Sequence, residues 1–84
     1  YSLLLMMIAQ VVGMKPKYFV HTLSDAHIYI DQVEGVKEQL TRTPLELSKV
    51  KINPEVKNLF AFEFGDFYLD GYNSHPLIKY PVAL

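Results

Sequence analysis

The sequence predicts an α/β (α+β) fold, and three stretches carry this prediction. Residues 1–14 are rich in apolar helix formers, whereas residues 18–30 are rich in β-branched and aromatic side chains. Residues 48–52 alternate between polar and apolar side chains, which is typical of a short strand with one solvent-exposed face. A chain of 84 residues is long enough for one domain at most.

Charge and cysteine content exclude several classes of function. The formal net charge is −1, so the chain lacks the basic surface expected for binding nucleic acid or an anionic membrane. It contains no cysteine, which excludes disulfides, cysteine-based metal sites and a cysteine nucleophile within these residues. The absence of disulfides fits a cytoplasmic protein. Because the chain begins with Tyr rather than Met, we expect it to be part of a longer protein.

Residues 1–14 are predicted to form a helix that is buried on every side, because apolar residues occupy nearly every position. The run is shorter than the about 20 residues that span a bilayer, and it lacks the basic flank of a signal peptide. Gly13 is predicted to end the helix, and Pro16 prevents its continuation. The other residues are too few to cover such a helix, so we expect the core helix of a larger protein.

Residues 18–30 are predicted to form the central strand. Alternate side chains of a strand point to opposite faces, so four polar residues are expected on one face: His21, Asp25, His27 and Tyr29. These polar side chains have two interpretations: hydrogen-bonded residues of the core or its rim, or groups that face a ligand. The strand pattern by itself does not decide between them.

A second helix, at the surface, is predicted from Asp31 to about Thr41. Asp31 is a candidate N-cap, and Glu34, three residues further on, fits a capping box. Pro44 ends the helix. Its apolar stripe is narrow and consists of Val33, Val36 and Leu40. The charged residues along the helix are expected to face solvent: Glu34, Lys37, Glu38 and Arg42.

The rest of the chain is predicted to contain two short strands and an apolar tail. After the strand at residues 48–52, Asn53 and Pro54 are expected to open a single helical turn, and a final strand covers Phe67 to Gly71. The apolar tail, residues 78–84, is expected to dock onto another part of the protein. The three histidines are too scattered to predict a metal site. Core positions are expected at Phe60, Phe62, Phe64 and Phe67.

Three stretches, taken in order, resemble the thymidylate synthase family. Residues 22–29, Thr-Leu-Ser-Asp-Ala-His-Ile-Tyr, resemble the family pattern T-G-G-D-x-H-x-Y. Arg42-Thr43-Pro44 stands where the family has R-x-P after a helix. Residues 66–79 are similar to D-F-x-x-x-G-Y-x-x-H-P-x-I-K, and the terminal Pro-Val-Ala-Leu is much like the family terminus. The resemblance covers essentially the whole chain and identifies residues 1–84 as the C-terminal part of such a domain.

The resemblance implies a large mixed sheet flanked by helices, in a cytoplasmic homodimer. Enzymes of this family methylate dUMP to dTMP with 5,10-methylenetetrahydrofolate, a cosubstrate that supplies both the carbon and a hydride. A cysteine thiolate attacks C6 of the pyrimidine, and the resemblance places that cysteine upstream of these residues. No metal, nucleic acid or membrane is expected as a partner. The chain alone is therefore expected to be inactive, although it forms part of a methyltransferase.

The resemblance assigns roles to five residues. His27 and Tyr29 match the pair that hydrogen-bonds the 3′-hydroxyl of the deoxyribose. Ala83 matches a folate-contacting position in the terminal tail, and Val82 and Leu84 lie beside it. Residues 27 and 29 are two apart on one face of the predicted strand, about 7 Å along the backbone, so both can reach one sugar.

Some positions depart from the family pattern. Leu23-Ser24 replaces a commonly Gly-Gly pair, Asp31-Gln32 replaces a commonly Asn-His pair, and Ser48 replaces a usual proline. These departures leave one alternative open, a dUMP or dCMP hydroxymethylase, in which water completes the reaction in place of hydride. A second alternative, favoured by the lack of cysteine if the 84 residues are the whole gene product, is a non-catalytic remnant that keeps the fold and the dimer surface.

Overall fold

The computed structural model describes residues 1–82 and confirms the α+β class. Contacts between Cα atoms divide this part of the chain into two compact units. The first unit combines residues 1–21 with residues 47–72, and the second combines residues 22–46 with the described residues from 73 onward. The helices and strands of the described part are α1 (Ser2–Val11), α2 (Val33–Leu40), β1 (Lys49–Ile52) and β2 (Phe67–Asp70).

Helix α1, in the first unit, ends as its sequence predicts. Gly13 has a φ of +71°, a conformation that costs glycine little because it has no Cβ. The Gly13 N–H donates to the Gln10 carbonyl at 3.2 Å, and the Met14 N–H donates to the Ala9 carbonyl at 2.8 Å. This pair of bonds is a Schellman motif, which satisfies carbonyl groups at the end of the helix.

The described chain does not bury α1 on every side. Ala9 is buried, but Leu3, Leu4 and Ile8 are exposed. The expectation that the remaining residues cannot cover the helix is therefore confirmed, and its burial within a larger protein stays a prediction. Neither α1 nor α2 has the length and apolarity that a bilayer span requires, over the described residues.

Strands β1 and β2 pair in antiparallel fashion, with Lys49 opposite Asp70 and Ile52 opposite Phe67. Along β1 the lysines are exposed, whereas Val50 and Ile52 are half-buried, as the alternating pattern predicts. The Lys51 Nζ atom lies 3.2 Å from the Asp70 Oδ2 atom across the ladder. Both predicted strands are thus confirmed.

The segment between β1 and β2 begins with a short hydrogen-bonded turn at Asn53. The Asn53 Oδ1 atom accepts from the Glu55 N–H at 3.1 Å, which makes a local turn that does not continue as a helix. The first 3₁₀ turn here is Leu59–Ala61, where the Asn58 side chain accepts from the Phe60 N–H at 3.0 Å. Asn53 therefore caps a turn as predicted, but the turn closes where the Val56 N–H donates to the Asn53 carbonyl at 3.4 Å and is not helical.

Two of the four phenylalanines predicted as core residues lie in solvent. Phe60 is 93% exposed and Phe64 is 98% exposed, and each lies in a 3₁₀ turn, so the prediction of a core position is wrong for both within this chain. Phe62 and Phe67 are half-buried and pack together, with their ring centroids 5.5 Å apart.

The predicted strand at residues 18–30 is absent from the described structure. Residues 15–28 make no backbone–backbone hydrogen bond within residues 1–82, and the segment is an exposed loop. A strand needs a neighbour that pairs with its N–H and C=O groups. The β-rich composition cannot form one here, because no described segment pairs with it.

Helix α2, in the second unit, begins one residue later than predicted. Residues Ile30–Gln32 form a 3₁₀ turn, so the N-cap is Gln32, and no side chain caps the helix. Asp31 lies inside that turn, and the Glu34 side chain pairs with Lys37 at 2.9 Å instead of closing a capping box. The predicted cap is thus wrong, whereas the end of the helix near Thr41 is confirmed. Leu40 is exposed and does not belong to a buried stripe.

Candidate functional site

His27 and Tyr29 lie at the end of the loop that leads into α2, and the backbone holds Tyr29 in place. Tyr29 caps the 3₁₀ turn Ile30–Gln32 in an extended conformation. Its carbonyl accepts a hydrogen bond from the Gln32 N–H at 2.9 Å. The first residue of the turn therefore follows directly on the predicted ribose-binding pair.

The side chains of His27 and Tyr29 lie side by side. Their ring centroids are 5.0 Å apart and the ring planes cross at 74°, an edge-to-face arrangement. The His27 side chain is 52% exposed. Tyr29 is similarly open to solvent. The prediction that the two side chains face the same way is thus confirmed, although the extended loop replaces the expected strand.

Asp25 determines which nitrogen of His27 is free. The Asp25 Oδ1 atom lies 3.3 Å from the His27 Nδ1 atom. An ionised carboxylate can only accept, so this hydrogen bond assigns a proton to Nδ1, and Nε2 is the ring nitrogen that Asp25 does not contact. Within residues 1–82 neither His27 Nε2 nor the Tyr29 hydroxyl has a hydrogen-bonding partner. Two neighbouring rings at an open surface therefore each carry a polar atom that has no partner within residues 1–82.

The tail predicted to contact folate is described only in part. Val82 is 81% exposed, so its side chain is available for a contact outside the chain. Ala83 and Leu84 lie outside the described residues, and their roles stay predictions. The residues just before Val82 dock as expected: the Gln32 Nε2 atom donates to the Pro81 carbonyl at 3.2 Å. Gln32 thus links the turn behind Tyr29 to the beginning of the tail.

Arg42 and His75 join two of the quoted sequence motifs. The Arg42 Nη1 atom donates to the Pro76 carbonyl at 2.7 Å, and a His75 Nε2 hydrogen bond reaches the Thr43 carbonyl at 2.8 Å. These two hydrogen bonds therefore join Arg42-Thr43-Pro44 to the His75-Pro76 pair in the second unit. The Arg42 side chain is only 22% exposed, so its assignment to the solvent-facing charges is wrong.

A concavity of about 440 Å³ lies beside these contacts. It is open to solvent, and its polar groups already bond to the chain at Arg42, His75 and Tyr80.

Over residues 1–82 no three His, Asp or Glu side chains are placed to hold a metal ion. Of the predicted cosubstrate contacts, Val82 alone falls among the described residues, and its exposed apolar side chain fits contact with an organic ring.

A family model described as thymidylate synthase matches residues 1–84. The match spans every quoted motif, from the loop that holds His27 and Tyr29 to the terminal tail. The chain therefore belongs to the thymidylate synthase family, a family of methyltransferase-type enzymes of nucleotide biosynthesis. In general, the substrates of that family are dUMP and methylenetetrahydrofolate.

Sequence reasoning missed the residues that hold the tail on α2. Gln32, Gly35 and Gln39 all contact Tyr80 or Pro81. Two signals were available: Gly35, because a glycine within a helical pattern usually has a packing or functional reason, and Gln32, where the sequence departs from the family pattern. The bonding partners of the two glutamines could not be predicted, since they are more than 40 positions away in the sequence.

Proposed function

We propose that residues 1–84 form the C-terminal part of a thymidylate synthase domain that methylates dUMP to dTMP with 5,10-methylenetetrahydrofolate. Membership of the family supports the reaction class. The observation that carries the role of this chain is the His27–Tyr29 pair, with two unused polar groups on side chains whose rings are 5.0 Å apart. In the proposal this pair binds the 3′-hydroxyl of the nucleotide.

The chemistry of the pair suits a hydroxyl, which both donates and accepts. With its Nδ1 proton directed at Asp25, His27 can accept a hydrogen bond from the ligand hydroxyl at Nε2. The Tyr29 hydroxyl can then donate to a lone pair of the same oxygen. Each bond orients the sugar, and neither group touches the pyrimidine carbon that reacts. His27 and Tyr29 are therefore binding residues in this proposal.

The nucleophile must come from elsewhere in the proposal. The chain has no cysteine, and no other side chain readily replaces a thiolate in the attack on C6. We infer that a cysteine outside these 84 residues supplies it. This chain then contributes nucleotide binding and the terminal tail to a cytoplasmic homodimer.

The tail has the proposed role of covering the cosubstrate. When bound, 5,10-methylenetetrahydrofolate supplies the one-carbon unit and the hydride. Val82, Ala83 and Leu84 are apolar, and apolar side chains closed over such a site exclude water that would compete with hydride transfer. No observation on the described residues favours hydroxymethylation or a non-catalytic remnant, so neither alternative is proposed.

The test uses a nucleotide that lacks the hydroxyl in question. In the protein that carries this chain together with its nucleophile, Tyr29→Phe should weaken dUMP binding by about two- to tenfold, the worth of one neutral hydrogen bond. The same change should not affect binding of the 2′,3′-dideoxy analogue, because that ligand has no group for Tyr29 to bond. His27→Ala should behave alike. Titration calorimetry with both ligands measures the difference.

Two variants serve as controls. Tyr72→Phe and His21→Ala change exposed residues of the same types outside the pair, and they should leave both affinities unchanged. Equal losses for dUMP and for its dideoxy analogue in Tyr29→Phe would show that Tyr29 does not bind the 3′-hydroxyl, and the proposed role of the pair would be wrong.

A further inference from the structure

One face of α2 is occupied by the chain end. Gln32, Gly35 and Gln39 are spaced i, i+3 and i+7, which places them along a single face of the helix. Each of them contacts Tyr80 or Pro81. We call these three residues the tail-binding face.

Gly35 makes room for the ring of Tyr80. A Cβ atom built on Gly35 would clash with the Tyr80 Cε1 atom and would lie 3.0 Å from two further ring carbons. Real Cβ atoms essentially never come so close, so the ring could not stay where it is. Glycine is also the poorest helix former after proline. Its position within α2 is therefore explained by the ring rather than by the helix.

The two glutamines fix the same segment by hydrogen bonds. The Tyr80 hydroxyl donates to the Gln39 Oε1 atom at 3.1 Å, and the Gln32 Nε2 atom donates to the Pro81 carbonyl at 3.2 Å. Tyr80 is thus held at its ring and at its hydroxyl, and the next residue is held at its backbone. Val82, which follows, is exposed.

The tail-binding face is joined to the nucleotide pair by a short backbone connection. The Gln32 N–H donates to the Tyr29 carbonyl at 2.9 Å, while the Gln32 side chain reaches Pro81. A displacement of the tail relative to Tyr29 must therefore break or stretch a Gln32 bond.

We propose that Gln32, Gly35 and Gln39 are positioning residues that set the point at which the last three residues leave the protein. In this inference, which rests on the proposed function, they hold Tyr80 and Pro81 so that the tail begins at a fixed position relative to Tyr29. Gln32 is one of the positions at which this sequence departs from the family pattern. Its hydrogen bond to the Pro81 carbonyl gives a physical reason for a glutamine at this position.

Gly35→Ala tests the proposal because two physical effects oppose each other. Alanine favours the helix, but its methyl group must displace the Tyr80 ring. In the intact protein we expect carboxypeptidase to release the last three residues about two- to tenfold faster, the change expected when one hydrogen bond of Tyr80 or Pro81 is lost. The Michaelis constant for the folate cosubstrate should rise while dUMP affinity stays unchanged.

A second variant separates displacement of the ring from a general effect on α2. In a Tyr80→Ala background the clash is gone, so adding Gly35→Ala should not accelerate release further. Gly65→Ala is the matched control, because the space around its Cβ position is open. Unchanged or slower release in Gly35→Ala, or equal acceleration in both backgrounds, would overturn the proposal.

The cosubstrate measurement distinguishes this inference from the proposed function. Faster release with an unchanged Michaelis constant would overturn the positioning role, because the displaced tail would then not matter to the cosubstrate. The dideoxynucleotide test does not involve the tail, so its failure would overturn the nucleotide-binding role by itself.

Discussion

Asp66 fixes the turn that precedes β2 through both of its carboxylate oxygens. The Glu63 N–H donates to Oδ2 at 2.7 Å, and the Asn53 Nδ2 atom donates to Oδ1 at 2.8 Å. Both bonds favour the charged form, so they hold the pKa of Asp66 below its ordinary value, with the backbone N–H as the larger cause. The same residue accepts at its carbonyl from the Asn53 N–H at 2.8 Å.

The lowered pKa of Asp66 predicts a stability change in acid. In the unfolded chain an aspartate titrates at about 3.9, so the stabilisation is fully present above that pH. It is lost as the pH falls through the lower pKa of the folded state, because the proton then removes an acceptor. We expect the urea midpoint of the protein to fall more steeply below about pH 4 than that of Asp66→Asn. Parallel curves for the two proteins would contradict this assignment; Asp25→Asn, at an exposed loop position, is the control.

At the scale of elements, Arg42 ties the end of α2 to the segment that carries His75 and Pro76. Its two terminal nitrogens bond different groups: Nη1 donates to the Pro76 carbonyl at 2.7 Å, and Nη2 lies 3.3 Å from the Glu38 carboxylate. A guanidinium can bond two groups at fixed angles, whereas an ammonium is a single point of charge. The position therefore requires arginine rather than a positive charge alone.

We predict that Arg42→Ala lowers the free energy of unfolding by about 1–3 kcal/mol, because a charged donor is lost and the Pro76 carbonyl loses its partner. Arg42→Lys should recover only part of that loss. Lys37→Ala is the matched control: its ion pair with Glu34 is exposed, so the change should be within about 0.5 kcal/mol. Urea denaturation of the three variants measures these differences. If Arg42→Ala lowered the free energy of unfolding no more than Lys37→Ala does, the hydrogen bonds of Arg42 would not contribute to stability.

At the scale of the whole chain, apolar surface is left uncovered within each unit. In the first unit, a concavity of about 480 Å³ is lined by apolar and aromatic side chains: Leu3, Val50, Phe64, Phe67, Tyr68 and Leu69. In the second unit, Ile30 is almost fully exposed. Soluble monomers rarely expose contiguous apolar surface of this kind.

We therefore predict that the isolated 84-residue chain associates with itself at micromolar concentration and binds a hydrophobic dye such as ANS. Sedimentation velocity across a concentration series measures the association. Phe64→Ser, at a fully exposed position, should reduce it without unfolding β1 or β2. A monodisperse monomer with a cooperative melting transition and no dye binding would contradict the prediction.

Elements whose cause lies within a few residues could be predicted from the sequence. Helix α1 and its end at Gly13 depend on helix propensity and on bonds spanning up to five positions, and both were predicted. The alternating pattern of β1 was read correctly for the same reason. The side-by-side placement of His27 and Tyr29 follows from their spacing of two residues, so it is observed although the predicted strand is absent.

Features that join distant parts of the chain depend on long-range contacts and could not be predicted from the sequence. Residues 18–30 have the composition of a strand, but a strand exists only where a partner pairs with it, and composition does not reveal the partner. Gln32 and Pro81 are 49 positions apart, and Tyr80 and Gln39 are 41 apart. Such contacts form because folding brings the two segments together, after which a glycine that weakens the helix becomes the residue that admits the Tyr80 ring.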